Sequence, residues 1–199
     1  MSIQSIAVPI TSFNRRELTL RTLASLYSQK IVANVRLSVY LVDDGRTDGT
    51  GEAVRSQFPD VNILPGDGSL FWNGGMRKAF AEAMQGNFDA YLFLNDDTIL
   101  YEDALERALN CARSWNSVGA SAIVVGSTRS PITGDHSYGG IARRLCWLEL
   151  TFEKVLPHSS SSTPCDTMNG NFALTQRDYL PLLSTGVSGN LQLWLYAST

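Results

Sequence analysis

A pair of adjacent carboxylates follows an apolar segment near the middle of the chain. The segment 91–94 has the composition of a buried strand, and Asn95, Asp96 and Asp97 come directly after it. Adjacent like charges repel each other, so the pair needs a divalent metal ion, a cationic neighbour or solvent beside it. Two carboxylates directed at one point suit Mg²⁺ or Mn²⁺, which take oxygen ligands and leave positions open for substrate phosphates. Metal-dependent binding of a phosphorylated ligand is therefore the first functional hypothesis.

Polar and acidic residues also follow the other predicted strands. Asp43 and Asp44 end the second predicted strand, while Pro9, Thr11 and Arg15 lie in or after the first. In open parallel sheets, ligands bind at the carboxyl ends of the strands. Two acidic strand ends that face one crevice favour ligand binding over the alternative of solvated loop residues.

A glycine-rich segment, GDGSLFWNGG, lies between the third predicted strand and the next predicted helix. Gly74 and Gly75 leave the first amides of that helix open to phosphate oxygens, and each such interaction contributes about 0.3–1 kcal/mol. Arg77 and Lys78 fall in the predicted first turn, where they are unfavourable for the helix dipole. They are interpreted either as ligand contacts or as a solvated basic turn. Trp72 is interpreted either as an aromatic that closes over a sugar or nucleoside, or as a core aromatic.

Alternating strands and helices position these groups. Apolar runs bounded by turn residues predict strands, and apolar residues at helical spacing predict helices. Asn14 and Glu17 fit a capping box at the start of the first helix. The predicted strands are 5–10, 36–44, 61–64, 89–95 and 121–126, and the predicted helices are 12–29, 49–58, 76–84 and 101–115. This alternation predicts an α/β fold with a parallel sheet covered on both faces.

The alternation ends at residue 126, and the remaining chain is predicted to be less regular. Residues 127–140 have the composition of a loop, and 145–155 of a strand or hairpin. The predicted elements that follow are a flexible connector at 158–164, an extended run at 168–175 and a short helix from Asp178. No charged residue occurs from Tyr179 to Thr199. This tail is interpreted as a buried terminal strand, or as the point where the natural domain has been cut or altered.

Composition and charge indicate one ordinary domain. The 199 residues are 44% hydrophobic and 18% charged, which is typical of a soluble globular protein. A net charge of −3 gives no broad attraction for nucleic acid or acidic membranes. There is no signal-like segment and no apolar run of the ~18 residues that span a bilayer. Three scattered cysteines, interpreted as free thiols, indicate a cytoplasmic protein, and His136 and His158 are interpreted as loop histidines.

Three common nucleotide or nucleophile motifs are absent from the sequence. The first predicted strand continues into PITSFNR, where a dinucleotide-binding turn would have Gly-x-Gly-x-x-Gly. The sequence also contains no Walker phosphate loop and no Gly-x-Ser-x-Gly nucleophile elbow. A redox or signalling doubly wound domain is therefore disfavoured.

Five segments together resemble glycosyltransferase family 2 of the GT-A fold. They are VPITSFNR, LVDDGRTDGT, GDGSLFWNGGMRKAFAEA, FLNDDT and CDTMNGNFAL, in the order of the family, and the resemblance covers about residues 3–185. The subgroup that they resemble is the bacterial rhamnosyltransferases and galactofuranosyltransferases of surface polysaccharide synthesis. The resemblance implies an α/β/α sandwich with a mostly parallel central sheet. It further implies one domain, with a nucleotide-sugar half at 1–126 and a partial acceptor half at 127–199 that lacks the carboxyl-terminal part of the family domain.

The resemblance also implies a role for each matching residue. Asp97 would be the principal metal ligand, with Asp96 toward the ribose or the metal and Asn95 in place of the first carboxylate of the Asp-x-Asp motif. The residues implied to contact the nucleotide are Pro9, Thr11, Arg15, Asp43, Asp44 and Asp96. The residues implied to line the donor diphosphate and sugar are Asp67, Trp72, Asn73, Gly74, Gly75 and Arg77, and those implied to face the acceptor are Asn169, Gly170 and Asn171.

The implied reaction is inverting transfer of a sugar from a nucleotide diphosphate, UDP- or dTDP-linked, with Mn²⁺ or Mg²⁺. The acceptor would be a saccharide or a lipid-linked molecule, and nucleic acid is not an expected partner. The implied setting is cytoplasmic, at the inner face of the membrane, with homo-oligomer formation or peripheral membrane association. Inverting members take a general base from an acidic cluster beyond the NGN segment, and this sequence has no match for it. The alternative is therefore a catalytically incompetent nucleotide-sugar-binding protein.

Overall fold

An eight-stranded sheet organises the computed structural model, which describes residues 3–30, 35–45, 47–120, 122–146, 149–157, 162–179 and 192–196. Its strands, in chain order, are β1 (Ser5–Ser12), β2 (Arg36–Asp43), β3 (Asn62–Pro65), β4 (Ala90–Leu94), β5 (Ala122–Gly126), β8 (Thr163–Cys165), β10 (Phe172–Gln176) and β11 (Gln192–Tyr196). A second sheet contains β6 (Gly140–Cys146), β7 (Glu149–Lys154) and β9 (Thr167–Met168). The helices are α1 (Arg16–Tyr27), α2 (Thr50–Gln57), α3 (Phe71–Ala83) and α4 (Ala104–Ser117), and a 3₁₀ turn spans Arg177–Tyr179.

The strand order of the large sheet is β3-β2-β1-β4-β10-β5-β11-β8. The pairs β1–β2, β1–β4 and β2–β3 are parallel, as the alternation predicted, and β5–β11, which the alternation did not include, is parallel as well. β10 is different, because it lies between β4 and β5 and is antiparallel to both. A strand from the second half of the chain is thus inserted into the centre of the sheet formed by the first half.

Alternating side chains of the strands build a core on each face of the large sheet. Ile6, Val8 and Ile10 of β1 pack in a cluster that includes buried residues of α1, α2 and α4. Ala7, between them, faces a cluster with Ala83 of α3. Of the apolar face predicted for α4 (Ala104, Leu105, Ala108, Leu109 and Ala112), all but Ala104 are buried, and Cys111 is buried beside them. The predicted cover on both faces is therefore confirmed, and the fold is mixed α/β.

The second half of the chain forms a hairpin and short strands. The segment predicted as a strand or hairpin is an antiparallel hairpin of β6 and β7, and its first strand begins earlier, at Gly140. β10 confirms the predicted extended run, and the 3₁₀ turn occupies the place of the predicted short helix. β11 lies within the uncharged tail, while 180–191 and most of the predicted connector, including His158, lie outside the described residues. Within the described residues, no helix has the length and apolar character needed to cross a bilayer.

The capping box predicted at the start of α1 is wrong. Helix α1 begins at Arg16, and no side chain caps it from the N-cap position. Asn14 has a positive φ of 51°, and its side-chain oxygen accepts a hydrogen bond from the amide of Thr47 instead. The cap comes from a distant segment, because Asp48 Oδ2 accepts the Arg16 amide at 2.9 Å. Tertiary contacts therefore decide a feature that local sequence spacing had predicted differently.

Asp48 joins the starts of two helices. Its Oδ1 atom accepts hydrogen bonds from the Thr50 amide at 3.0 Å and the Thr50 hydroxyl at 2.6 Å, beside the start of α2. Burial alone would raise the pKa of Asp48, but the bonds from Thr50 and from the Arg16 amide hold it below its usual value of 3.8. One carboxylate thus satisfies backbone donors at both helix starts, where negative charge is favourable.

We expect Asp48→Ala to lower the free energy of unfolding by about 0.5–2 kcal/mol, the range for loss of a helix cap. Urea denaturation measures it, with Asp60→Ala, an exposed turn substitution, as the control. The folded pKa is lowered, so the stabilisation is complete above the unfolded value of 3.8 and is lost as the pH falls through the folded value. A difference between wild type and Asp48→Ala that persists unchanged at pH 2 would contradict this account.

Candidate functional site

The residues predicted to bind the ligand lie at the carboxyl ends of β1, β2 and β4. Ser12, at the end of β1, pairs in register with Asp43, at the end of β2. Pro9 and Thr11 are buried within β1. Asp96 follows β4, which is the other neighbour of β1 in the sheet. The parallel topology therefore brings three predicted ligand-binding segments to one edge.

A cation lies beside the carboxylate pair. Arg15 Nη1 is 2.9 Å from Asp97 Oδ2 and 3.4 Å from Asp96 Oδ1. Arg15 follows β1 and its side chain is half exposed, whereas the two carboxylates follow β4. Of the three explanations for the pair, a cationic neighbour is therefore observed directly. The guanidinium therefore lies where an oxygen of each carboxylate is close to the same nitrogen atom.

The two carboxylates have different environments. Asp96 is only 6% exposed, and its Oδ2 atom is buried without a hydrogen-bond partner among the described residues. Burial raises the pKa of Asp96 above its usual value, while the neighbouring Ser12 hydroxyl and then the charge of Arg15 oppose this shift. Asp97 is considerably more exposed than Asp96. An orphaned buried oxygen next to an accessible carboxylate is the donor set that a hard divalent ion would use.

The residues present fit such an ion only as part of a ligand set. Within the described part of the chain, no group of three or more His, Cys, Asp and Glu side chains converges on one point. The protein would therefore supply at most the two carboxylates of the Asp96–Asp97 pair, and further oxygen ligands would come from a phosphorylated ligand and water. A metal ion at this position would therefore be bound jointly by the protein and by a phosphorylated ligand.

Trp72 connects the carboxylate segment to the predicted acceptor-side segment. Its Nε1 atom donates a hydrogen bond to Asn95 Oδ1 at 2.8 Å, and the residue is 50% exposed. A Cβ at Gly170 would lie 2.9 Å from the ring of Trp72, so only glycine fits there without movement. The Asn95 amide donates to the carbonyl of Asn171 at 3.1 Å. Trp72 is thus half exposed and not a core aromatic, and Asn169 is the residue before Gly170 in this contact.

The glycine-rich segment differs from its predicted structure. Helix α3 begins at Phe71, so Trp72, Asn73, Gly74 and Gly75 are helical, and Arg77 does not lie in the first turn. The same correction applies to Lys78, whose Nζ donates to the Pro65 carbonyl at 2.5 Å. A Cβ at Gly75 would overlap Thr11 Oγ1. The close approach of α3 to β1 therefore explains this glycine, and α3 begins further toward the amino terminus than the sequence indicated.

The acidic residues that end β2 organise the backbone around them. Asp44 is buried, and its two oxygens accept the amides of Gly68 at 2.9 Å and Leu70 at 3.1 Å. Asp43 is also buried, and its Oδ2 atom accepts the Gly51 amide at 3.0 Å. In the loop between β3 and α3, Asp67 accepts both the amide and the hydroxyl of Ser69 at 2.8 Å. These carboxylates thus fix the loops that lead into α2 and α3.

Two exposed aromatic residues at this edge were not predicted. Phe13 follows β1 and is 53% exposed, and Phe71 at the start of α3 is 81% exposed. Phe71 also has a positive φ of 51°, which is uncommon for a bulky residue. Large exposed aromatic side chains and local backbone strain both occur at ligand sites. The sequence signal that could have identified Phe13 and Phe71 is that each is an aromatic residue within a turn segment of mostly polar residues or glycine.

The chain belongs to glycosyltransferase family 2. The model of the family named Glycosyl transferase family 2 matches residues 7–178, which includes every site segment described above. No curated protein matches the chain in sequence. The family membership predicted from the five sequence segments is therefore confirmed.

Solved structures show the same fold. The mannosyltransferase PcManGT from Pyrobaculum calidifontis, in complex with GDP-Man and Mn²⁺, is 16% identical and matches 92% of this chain, with a TM-score of 0.58. TarS 1–349 from S. aureus is 14% identical and matches 98% of this chain, with a TM-score of 0.64, and its complex with UDP-GlcNAc is 12% identical and matches 98%, with a TM-score of 0.62. The matches cover 47%, 58% and 59% of those chains, respectively, so this chain spans about half of their length. The predicted GT-A fold is confirmed.

We expect Asp96→Asn to raise stability at pH 7, because burial disfavours the charged form of this carboxyl group. Its folded pKa is raised, so stability falls as the pH rises from the unfolded value of 3.8 through the folded value. Urea midpoints in metal-free buffer at pH 3, 5 and 7 measure this, with Asp97→Asn at the more exposed neighbour as the matched control. An Asp96→Asn variant less stable than wild type at pH 7 would contradict the burial argument.

Proposed function

We propose that the chain binds a nucleotide-diphosphate sugar with Mn²⁺ or Mg²⁺ and transfers the sugar, with inversion, to a saccharide or lipid-linked acceptor. Family membership supports a glycosyltransferase, and one observation carries the metal-dependent part. The buried Asp96, with its orphaned oxygen, lies beside the accessible Asp97 at the edge where β1, β2 and β4 end. Surface polysaccharide synthesis at the cytoplasmic face of a membrane, by a rhamnosyl- or galactofuranosyltransferase-like enzyme, is the setting that the sequence resemblance supports.

The carboxylate pair would hold the metal ion. Asp97 is the principal ligand in this proposal, and Asp96 contributes its buried oxygen or contacts the ribose. The ion would neutralise charge that develops on the leaving diphosphate. Arg15, already 2.9 Å from Asp97, supplies a second positive charge for the same phosphates. The solved complex of PcManGT with GDP-Man and Mn²⁺ is consistent with a divalent ion in this fold.

The remaining groups at the edge would receive the nucleotide and the sugar. Pro9, Thr11, Asp43 and Asp44 stay predicted nucleotide contacts. Asp43 and Asp44 bond backbone amides, so they would act by fixing loops as well as by direct contact. The predicted wall of the donor sugar is formed by Asp67, Trp72, Asn73, Gly74, Gly75 and Arg77. TarS with UDP-GlcNAc is a solved example of a nucleotide sugar in this fold, and a UDP- or dTDP-linked donor is proposed here.

Transfer requires a base for the acceptor. The acceptor oxygen forms a bond to the anomeric carbon while the bond to the diphosphate oxygen breaks, and the hydroxyl proton must leave. Asp178 lies two residues after Gln176, the last residue of β10, and Gln176 pairs with Ala90 at the opposite end of β4 from the carboxylate pair. Asp166 accepts the Arg143 amide at 2.7 Å within the smaller sheet. Neither late carboxylate, therefore, is placed as a base.

This placement favours a second candidate function. Among the described residues beyond the NGN segment, Asp178 is the single carboxylate, and it lies at the wrong edge of the sheet. A chain without a base would bind the donor but transfer the sugar about 10²–10⁴-fold more slowly. Nucleotide-sugar binding without turnover would support this alternative, and metal-dependent donor hydrolysis or transfer would support the enzyme.

We expect Asp97→Asn to weaken metal-dependent donor binding at least about tenfold, because it removes the accessible anionic ligand. Titration calorimetry with UDP-GlcNAc, dTDP-rhamnose and GDP-Man, each with and without Mn²⁺, measures the effect. Asp60→Asn is the control, because Asp60 is an exposed turn residue before β3, at the end of the sheet opposite the carboxyl ends of the strands. Equal affinity in wild type and Asp97→Asn would show that the metal ligand is misassigned, and no binding of any nucleotide sugar would reject the proposed function.

Arg15→Gln is expected to change metal and donor affinity in opposite directions. The guanidinium and a divalent ion compete for the same two carboxylates, and an exposed pair contributes about 0.2–1 kcal/mol. Removal of Arg15 should therefore raise affinity for Mn²⁺ alone by up to about fivefold, while donor affinity falls through loss of a phosphate contact. Electron paramagnetic resonance of free Mn²⁺ and calorimetry measure the two effects, with Arg16→Gln as the control. A fall in both affinities would contradict the competition.

A further inference from the structure

A cavity of about 560 Å³ extends from the carboxylate pair to the loop after β5. Asp97, which follows β4, and Arg129, which follows β5, both lie in its wall. β10 separates β4 from β5 in the sheet, so the ends of these two strands are about 10 Å apart, twice the spacing of neighbouring strands. The volume is within the range of small-molecule sites. One ligand in this cavity would therefore contact a carboxylate on one side and a guanidinium on the other.

Hydroxyl groups and aromatic rings contribute to the wall of this cavity beside its apolar residues. Tyr101 is 45% exposed and Tyr138 is 50% exposed, and both line it. A hydroxyl group both donates and accepts hydrogen bonds, and a tyrosine ring adds an apolar face with a polar tip. A saccharide has hydroxyl groups to match the former and C–H faces to match the latter, so the lining suits a saccharide. The lining residues with an aliphatic hydroxyl group are Thr98, Ser127, Thr128, Ser130 and Ser137.

Arg129 brings a positive charge to the wall that no carboxylate of the described residues neutralises by an ion pair. It is exposed, and its Nη1 atom donates to the carbonyl of Gly134 at 3.3 Å. An antiparallel bridge between Arg129 and His136 closes the loop that carries both residues. Arg107, also in the wall, differs because it pairs with Asp103 at 3.7 Å. Since a guanidinium has five N–H donors, Arg129 has several left for a ligand.

His136 is affected by the same positive charge. Burial lowers the pKa of His136, and the charges of Lys154 and Arg129 lower it further, against a smaller opposing effect of the Tyr138 backbone. Both charged groups that act on this imidazole are thus cationic. The region around Arg129 is therefore locally positive, although the chain as a whole has a net charge of −3.

We propose that Arg129 forms an anion subsite in this cavity and selects an acidic saccharide, one that carries a carboxylate or phosphate group, as the acceptor. The inference rests on the proposed glycosyltransferase function and names the class of acceptor. The planar guanidinium donates paired hydrogen bonds to a carboxylate or phosphate group. Asp97 repels an anion, so the charged group of the saccharide binds at Arg129 and a neutral hydroxyl group faces Asp97. The sugar ring would contact Tyr101 and Tyr138.

The test compares charged and neutral sugars of the same shape, without metal or nucleotide. Methyl β-glucuronide is paired with methyl β-glucoside, and glucose 6-phosphate with glucose, so that the two pairs distinguish a carboxylate from a phosphate group. Binding to the full chain is followed by ligand-observed nuclear magnetic resonance at low ionic strength. The charged member of at least one pair should bind more tightly by up to about fivefold, and added salt should reduce this difference. The negative net charge of the chain opposes such a preference, so it would have to arise locally.

Substitutions at exposed positions separate the charge from the ring contact without disturbing the core. Arg129→Gln should abolish the preference for the charged sugar, and Arg129→Glu should reverse it. Arg55→Gln is the matched control, because Arg55 is exposed on α2, between β2 and β3, and does not line the cavity. Tyr138→Ala should weaken the charged and the neutral sugar to the same extent, because it removes a ring contact and no charge.

The outcomes separate this inference from the proposed function. A preference for the charged sugar in wild type and Arg55→Gln that is absent in Arg129→Gln supports the anion subsite. Equal affinities within both pairs, no binding of any of the four sugars, or a preference that survives in Arg129→Gln would overturn it. Donor binding is measured separately with Mn²⁺ and UDP-GlcNAc, dTDP-rhamnose and GDP-Man. Absence of donor binding with an intact preference for the charged sugar would reject the glycosyltransferase proposal and leave the anion subsite.

Discussion

The site depends on how the charge of one buried carboxylate is compensated. Asp96 is almost fully buried at the end of β4, and one of its oxygens has no hydrogen-bond partner among the described residues. A buried carboxylate is unfavourable without an opposite charge, and Arg15, which follows β1, provides one to both Asp96 and Asp97. The ends of two neighbouring strands are therefore coupled electrostatically. We infer that the same unfavourable burial makes the pair receptive to a divalent ion.

The donor-side and acceptor-side segments are connected through a small number of close contacts. Trp72 bonds Asn95 and packs against Gly170, while the Asn95 amide bonds the carbonyl of Asn171. The insertion of β10 between β4 and β5 makes these contacts possible, because it brings the NGN segment alongside the end of β4. An antiparallel strand in a parallel sheet thus has a direct consequence for the site. It places the two sequence segments that the proposed reaction must combine.

Periodicity predicted the helices and strands of the first half, because each strand is a short apolar run and each helix has one apolar face. The errors arose where distant residues decide local structure. Asp48 caps α1 in place of the predicted box, and α3 begins earlier than predicted, packing closely against β1 at Gly75. The convergence of strand ends was predictable from parallel topology. The hydrogen bonds that backbone amides donate to Asp44 could not be predicted, because they depend on the conformation of the loop between β3 and α3.

The central claim is that Asp96 and Asp97 hold a divalent ion that also contacts the diphosphate of a nucleotide sugar. This claim is tested directly by electron-nuclear double resonance of Mn²⁺ in the complex with the nucleotide sugar that binds most tightly. The method detects phosphorus nuclei close to the ion. The account predicts phosphorus coupling in the wild-type complex and its loss, together with loss of protein-bound Mn²⁺, in Asp97→Asn. If wild type and Asp97→Asn show the same phosphorus coupling and bind the same amount of Mn²⁺, the claim is contradicted.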